Sequence, residues 1–456
     1  MMSATSMARQ LIVVAVLSVA LLHPVPCATQ NIPQRLTLEN ALALAREWNP
    51  TYRRALAQVD ASAADVRAAQ GQFMPNLNAS LGFAGSRSTV ATGQDDFGGN
   101  IELPESRTID RSSSSQSLSS QITLFDGFQN VNGLRSARAG EEAAQWGVDA
   151  QLAILEADVK RQFYATIRWQ QLIAIEERLL DARVDELDAT ERLFRVAAQE
   201  QVDVLGAQVE VARQEQNLES ARGESRKALL TLAEVMGLNP ATGFEIVGAF
   251  PQVFDPAELE DDALVQRVFA TSPVLQRAEA DASQAAYAAS RARGLRLPTL
   301  TAGASFSRSV GQEGYGGLFD FNPHDRGLRF DLSVSVPLFN RFSTSQSIAQ
   351  AEASEVSANE TARETRLQLE RELRSALIDV RNSYHQLQLA ERSAELGRQR
   401  LAMAREQYQL GSRSFTELQQ IVSVSAGDER NALAARLTYV NAVIVLEQLL
   451  GGPALN

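Results

Sequence analysis

The sequence predicts an α+β membrane protein that is internally duplicated, each half a β-hairpin followed by a very long antiparallel helix pair. Three observations predict it. Residue identities recur at a fixed separation along most of the chain, and each copy holds two segments of period-two alternation. Each copy then runs on without proline, from Asn130 to Val196 and from Thr344 to Leu410.

The N-terminus reads as a secretion signal over residues 1–28. Arg9 supplies the basic region, Leu11 to Leu22 is apolar apart from Ser18, and His23, Pro24 and Pro26 break the run before Cys27-Ala28. So short an apolar run suits a signal better than a spanning helix. Cys27 is the single cysteine, so no disulfide is available to the chain, and Pro24-Val25-Pro26 makes a poor lipidation box around it. No other unbroken apolar run of about 18 residues is present, so no transmembrane helix is expected. An exported chain of this kind is periplasmic, released, or inserted as β-strands.

The duplication is the strongest signal. Pro50 and Pro273, Gly71 and Gly294, Pro75 and Pro298, Leu77 and Leu300, and Phe83 and Phe306 are each 223 residues apart. Leu118 and Leu332, Leu124 and Leu338, Phe128 and Phe342, Glu177 and Glu391, Phe194 and Tyr408, and Gly237 and Gly451 are each 214 apart. The change of offset falls between residues 88 and 116, which predicts a longer loop there in the first copy. The copies span 29–237 and 263–456, joined by a proline-bearing linker at 238–262 with a short strand near Phe244–Val247.

Each copy opens with a helix, 50–72 and 273–296, then alternates. Leu328, Phe330, Leu332, Val334, Val336 and Leu338 face one way, and Arg329, Asp331, Ser333 and Ser335 the other. Leu300, Ala302, Ala304 and Phe306 do the same, as do 76–84 and 117–125, where Ser120 is a lapse. Period two gives one apolar and one polar face. Hairpins 75–126 and 298–340 result, with Gly-, Ser- and Asp-rich loops expected at 88–116 and 309–327. Four strands cannot close on themselves and open edges are not tolerated in lipid, so several copies must close one barrel, apolar side out.

The helix hairpins cover 128–237 and 343–451. At 1.5 Å per residue each long helix is about 100 Å in length. The second carries a seam at Leu369, Leu373, Ala376, Val380, Tyr384, Leu387, Ala390, Ala394, Gly397, Leu401, Ala404 and Tyr408, close to a supercoil period. Breaks at 197–201 and 411–414 precede return helices 202–236 and 415–450, which stop at Gly237 and Gly451.

This layout resembles the TolC-like outer membrane efflux protein family over essentially all the mature chain. The resemblance rests on Asn49-Pro50, the Gly-Gln-Phe-Met-Pro-Asn-Leu of 71–77, the Leu-Phe-Asp-Gly of 124–127, the Pro-Leu-Phe-Asn of 337–340 and the tip 408–418, taken in order and in duplicate. It implies a homotrimer, with a four-stranded contribution per chain to a trimeric 12-stranded β-barrel in outer-membrane lipid, plus a long coiled-coil α-helical barrel across the periplasm. It also implies a periplasmic adaptor (membrane fusion) protein docked at the tips, Val196, Ala197, Ala198, Leu410, Gly411 and Ser412, and an inner-membrane transporter reached indirectly. By family precedent Arg413 and Tyr408 tie to Asp203 and hold the tunnel closed, and Glu417 lines the constriction. Ala197 departs from a frequent glycine, and Gln420 from an aspartate that some members carry.

The formal charge of −12 argues against a nucleic-acid partner. It fits a solvated surface before it fits a cation-selective pore. After the signal the histidines are His324 and His385, and no nucleophile elbow, phosphate loop or metal spacing is present, so neither catalysis nor a cofactor is expected. The rival reading is a soluble periplasmic coiled-coil adaptor or structural protein, which leaves the alternating strands unexplained.

Overall fold

The computed structural model describes residues 33–94, 100–196, 199–241, 243–315, 319 and 325–452. The signal region with Cys27, the tip residues Ala197 and Ala198, and His324 lie outside them. The elements are β1 (Arg35–Leu36), α1 (Leu38–Trp48), α2 (Pro50–Gly71), β2 (Asn76–Gln94), β3 (Asn100–Phe125), α3 (Gln129–Arg195) and α4 (Gln201–Met236). They continue with β4 (Glu245–Ile246), α5 (Asp261–Thr271), α6 (Pro273–Arg293), β5 (Thr299–Glu313), β6 (Asp325–Ser335), α7 (Ser343–Gln409) and α8 (Phe415–Leu450).

β2, β3, β5 and β6 form one antiparallel sheet in that order, so β2 and β6 are its edges. The register aligns Ala79 with Leu118, Leu118 with Phe306, and Phe306 with Leu328. Because the pleat has period two, Leu77, Leu81, Leu118, Phe306, Leu328, Phe330, Leu332 and Val334 share one face, and all are exposed. The loops expected at 88–116 and 309–327 are a correction. β2 runs to Gln94 and β3 begins at Asn100, and β5 and β6 likewise reach Glu313 and Asp325. Ser112–Ser115 resemble a loop because neither face is apolar, yet each pairs across the ribbon, Ser115 with Gly82 and Ser112 with Gly85.

The sheet passes into each long helix through a sharp turn with two left-handed residues, Gly127-Phe128 in one copy and Arg341-Phe342 in the other. A Cβ on Gly127 would stand 2.6 Å from the Gly294 carbonyl, which explains the glycine there. The Asp126 carboxylate then accepts from the Asn130 N–H at 2.7 Å and anchors the first turn.

α3 and α7 have 67 residues each, about 100 Å of helix, and α4 and α8 return antiparallel beside them with 36. α2 and α6 make up the missing length. Asn49 caps α2, its side chain accepting from the Thr51 and Tyr52 N–H groups while its amide donates to the Val235 carbonyl at 2.8 Å. That contact docks the start of α2 on the end of α4. Gly237, at φ +74°, would place a Cβ 2.4 Å from the Trp48 carbonyl.

The main core lies at mid-height, where Phe163, Ile167, Leu232, Met236, Leu373, Val380, Leu387 and Tyr439 meet. The 238–262 segment straps it, pairing β4 parallel to β1. Most of the predicted α7 seam is buried, with Tyr384, Ala390 and Gly397 partly open. One expectation changes. α8 is long and apolar enough by composition to cross a membrane, with an 18-residue window of mean hydropathy 1.4. Its Leu433, Tyr439, Val440, Ile444, Leu446 and Leu450 instead complete the mid-height core.

Candidate gate at the helical tips

Both rods end in tight turns far from the sheet. α7 stops because Gly411 takes φ +71° and lets the Ser412 N–H fold back to the Gln407 carbonyl at 3.0 Å. The Ser412 hydroxyl donates to the same carbonyl at 2.9 Å, and Arg413 Nε donates to the Gln407 side chain at 2.9 Å. α8 then opens with a reciprocal cap. The Ser414 hydroxyl accepts from the Glu417 N–H, and the Glu417 carboxylate accepts from the Ser414 N–H at 3.2 Å. The Ser414 N–H and the Ser414 hydroxyl, which lies 3.1 Å from the carboxylate and donates to it, hold Glu417 below the ordinary carboxyl value, with the nearby Arg413 adding to them. At the other tip the Glu200 N–H donates to Asp203 at 3.3 Å, so Asp203 closes the equivalent cap of α4.

Of the residues the sequence singled out, Tyr408 is fully buried, among Leu401, Ala404, Phe415 and Leu418. Its hydroxyl shares a 2.8 Å hydrogen bond with Thr190. Burial pushes the phenol pKa up, against the Thr190 bond, and the charges of Glu186 and Asp203 raise it further. Val196, Leu410, Gly411, Ser412, Glu417 and Gln420 are exposed. Within one chain Arg413 spends its Nε on Gln407 and Tyr408 its hydroxyl on Thr190, while Asp203 caps its own helix. The chain therefore places all three at one end of the rods without joining Arg413 to Asp203.

Above the tips lies a feature that residue-type reasoning missed. Glu176, Arg183 and Thr190 sit seven apart on α3 and are all buried. Glu176 accepts two 2.7 Å bonds from Arg430 of α8 and one from Gln214 of α4. Arg183 bonds Glu186 at 3.0 Å and Gln419 of α8, whose amide returns to Glu186 at 2.8 Å. Burial alone would push Glu176 up, but the Arg430 and Gln214 bonds outweigh it and hold the carboxyl below its ordinary value. The heptad spacing of three polar residues was the available signal.

The profile described as outer membrane efflux protein matches residues 41–238 and 264–452, one match for each half of the duplication. Protein CyaE of Bordetella pertussis is 26% identical over 323 residues, which cover 70% of this chain and 63% of CyaE. The chain thus spans a little under two thirds of that relative. Among solved structures, the CmeC outer membrane channel of Campylobacter jejuni superposes with a TM-score of 0.74 at 16% identity, over 91% of this chain and 85% of its own. VceC of Vibrio cholerae gives 0.72 at 17%, over 91% and 96%. The open-state MtrE outer membrane channel of Neisseria gonorrhoeae gives 0.69 at 18%, over 91% and 89%. At these identities the likeness is one of fold.

Proposed function

Because this chain belongs to the outer membrane efflux protein family, we propose that three copies of it form an outer-membrane channel continued by a tunnel across the periplasm, the passive exit duct of a tripartite efflux pump or type I secretion system. One observation carries this reading. A four-stranded sheet with an exposed apolar face and two unpaired edges stands on helices about 100 Å long. Such a sheet is stable only where lipid covers the face and other copies take the edges. A soluble coiled-coil adaptor would have no use for Phe330, Leu332 and Val334 pointing outward.

In this assembly Arg413 of one copy is positioned to reach Asp203 of the next, and three Glu417 carboxylates ring the narrow end. The adaptor docks on the exposed tips, and the energy comes from the transporter behind it. The test is release and conductance. The protein should leave the membrane only in detergent, as a trimer, and conduct cations in planar bilayers. Arg413→Ser should raise the single-channel conductance. Release into the periplasmic fraction without detergent would overturn the duct, and unchanged Arg413→Ser conductance would overturn the gate.

A further inference from the structure

The apolar face of the sheet continues past the point where strand alternation would end it. β3 shifts register between Thr123 and Phe125, and the shift returns Phe125 to the row of Leu300 and Val334 on the outward face. The ring of Phe128 meets Phe125 edge to face, centroids 5.4 Å apart, at the turn into α3. The second copy repeats the pair as Phe339 and Phe342, 5.7 Å apart. Phe125 and Phe128 are 37% and 57% exposed although β3 already has β2 on one side and β5 on the other. A second copy therefore adds little cover there. The rings mark the level at which the apolar face meets the periplasmic surface of the membrane.

Just below this level the same side turns basic. Arg135 and Arg138 lie seven and ten residues beyond Phe128, three apart on one face of α3, and both are exposed. Arg67 of α2 is exposed at the same depth. Asn130 donates to the Gln72 carbonyl at 3.3 Å, so Arg67, five residues before Gln72, is level with Arg135, five after Asn130. None of the three lines the polar groove that α2, α3 and α6 enclose on their other side, where Asp65, Gly133 and Gly140 lie. Elsewhere on the rods arginines such as Arg161, Arg222 and Arg398 take a carboxylate. Among the described residues Arg67, Arg135 and Arg138 take none. The second copy does not repeat the cluster. The equivalents are Ser290, Ala349 and Glu352, and Glu352 accepts from Arg293 at 3.0 Å.

The depth suits a lipid headgroup. The headgroup layer is about 5–7 Å thick on each side of the hydrocarbon, and Arg135 starts about 10 Å along α3 from Phe128. Helical side chains lean toward the N-terminus, which here is toward the membrane, so the guanidinium rises into that layer.

We propose that Arg67, Arg135 and Arg138 bind the phosphate of an anionic phospholipid in the periplasmic leaflet, one site per chain, with its acyl chains against Phe125 and Phe128. A guanidinium fork matches phosphate oxygens in pairs. Three arginines without carboxylate partners favour a headgroup of net negative charge over a zwitterionic one. The proposal rests on the duct reading and adds which lipid the duct holds, and where.

The test mixes the full-length protein, extracted in detergent, with phosphatidylglycerol or phosphatidylcholine and counts the lipids kept per trimer by native mass spectrometry. Phosphatidylglycerol should be kept and phosphatidylcholine largely lost. Arg135→Gln with Arg138→Gln should weaken phosphatidylglycerol binding about thirtyfold at low salt and leave phosphatidylcholine as it was. Arg192→Gln with Arg195→Gln removes the same charge at the same spacing from the far end of α3, and should change neither. Equal retention of the two lipids, or an equal loss in the two variants, would overturn the site while leaving the trimer standing. If no trimer is extracted, the duct falls and the site with it. Displacement of the lipid by inorganic phosphate at equal concentration would assign the site to free phosphate and overturn the lipid.

Discussion

In the helical rods the large apolar side chains are hidden, and in the sheet they are displayed. Phe163, Ile167, Leu373 and Leu387 are at most 2% exposed, whereas Leu328, Leu332 and Phe330 are 66%, 68% and 74% exposed. The rods put charge inside, at Glu176 and Arg183, and the sheet puts Asp331 and Arg329 on the face opposite its apolar one. One sequence thus obeys one hydrophobic rule against two solvents. The residues whose loss should matter most are accordingly opposite in kind: a removed charge in the rods and an added charge in the sheet.

The comparison breaks most readily at Arg430. Arg430→Ala strands the Glu176 carboxylate in the interior, and removing one partner of a buried pair costs about 3–5 kcal/mol. Unfolding of the detergent-solubilised protein, followed by circular dichroism, should show that loss. Glu176→Leu with Arg430→Met removes both charges and should come out near neutral. A small effect of Arg430→Ala alone would mean that water reaches the rod interior.

Acid probes the same site. Glu176 is held below its ordinary value of 4.5. A carboxyl depressed on folding contributes stability fully above its unfolded pKa and loses it as pH falls through the folded one. The native protein should therefore weaken below about pH 4.5 through this group. In Arg430→Ala the favourable bond is gone and burial dominates, so the carboxyl rises above its unfolded value and the variant should instead regain stability through this group as pH falls and the stranded charge is protonated. A midpoint against pH that is identical in the two proteins would remove Glu176 from the account.

The sheet gives the next largest effect. Leu332→Arg places a charge on the lipid face, at a cost of about 2–4 kcal/mol near mid-membrane. The share of the protein that stays in the membrane until detergent is added should fall sharply. Asp331→Asn, one residue away on the opposite face, should leave it nearly unchanged. Equal losses in both would mean that the two faces are wrongly assigned.

Legibility in the sequence followed the same division. The rods were readable almost to the residue, because proline is missing from them and Gly237, Gly411 and Gly451 end three of the four helices in left-handed turns. The outward face of β6 was readable because strict alternation survives there. The ribbon above it was not, since Ser112–Ser115 carry no apolar face to announce a strand. Glu176 and Arg183 were not legible as core residues, because charge at a core position is visible only once Arg430 and Gln419, some 250 residues away in sequence, fold against them. The gate contacts stayed hidden for a different reason. Tyr408, Arg413 and Asp203 were placed at the tips by resemblance, but their partners in one chain are Thr190, Gln407 and Glu200.

The smallest expected effect lies at the exposed end of the rods, where water rather than protein surrounds the charge. Glu417 is held low first by the Ser414 backbone N–H and then by the Ser414 hydroxyl, with Arg413 a lesser contributor. Ser414→Ala removes the hydroxyl and leaves the backbone bond, so the carboxyl should rise part of the way toward its ordinary value. A group with a depressed pKa stays ionised to lower pH, so the variant should lose its charge earlier during acidification. If three Glu417 carboxylates set the cation preference, the reversal potential in a salt gradient should fade at higher pH in Ser414→Ala than in the native channel. The shift should be modest and shrink as salt is added, because exposed charges are screened. Glu176 in the dry interior should show no such salt dependence. A preference that fades at the same pH in both channels would show that Glu417 does not line the constriction.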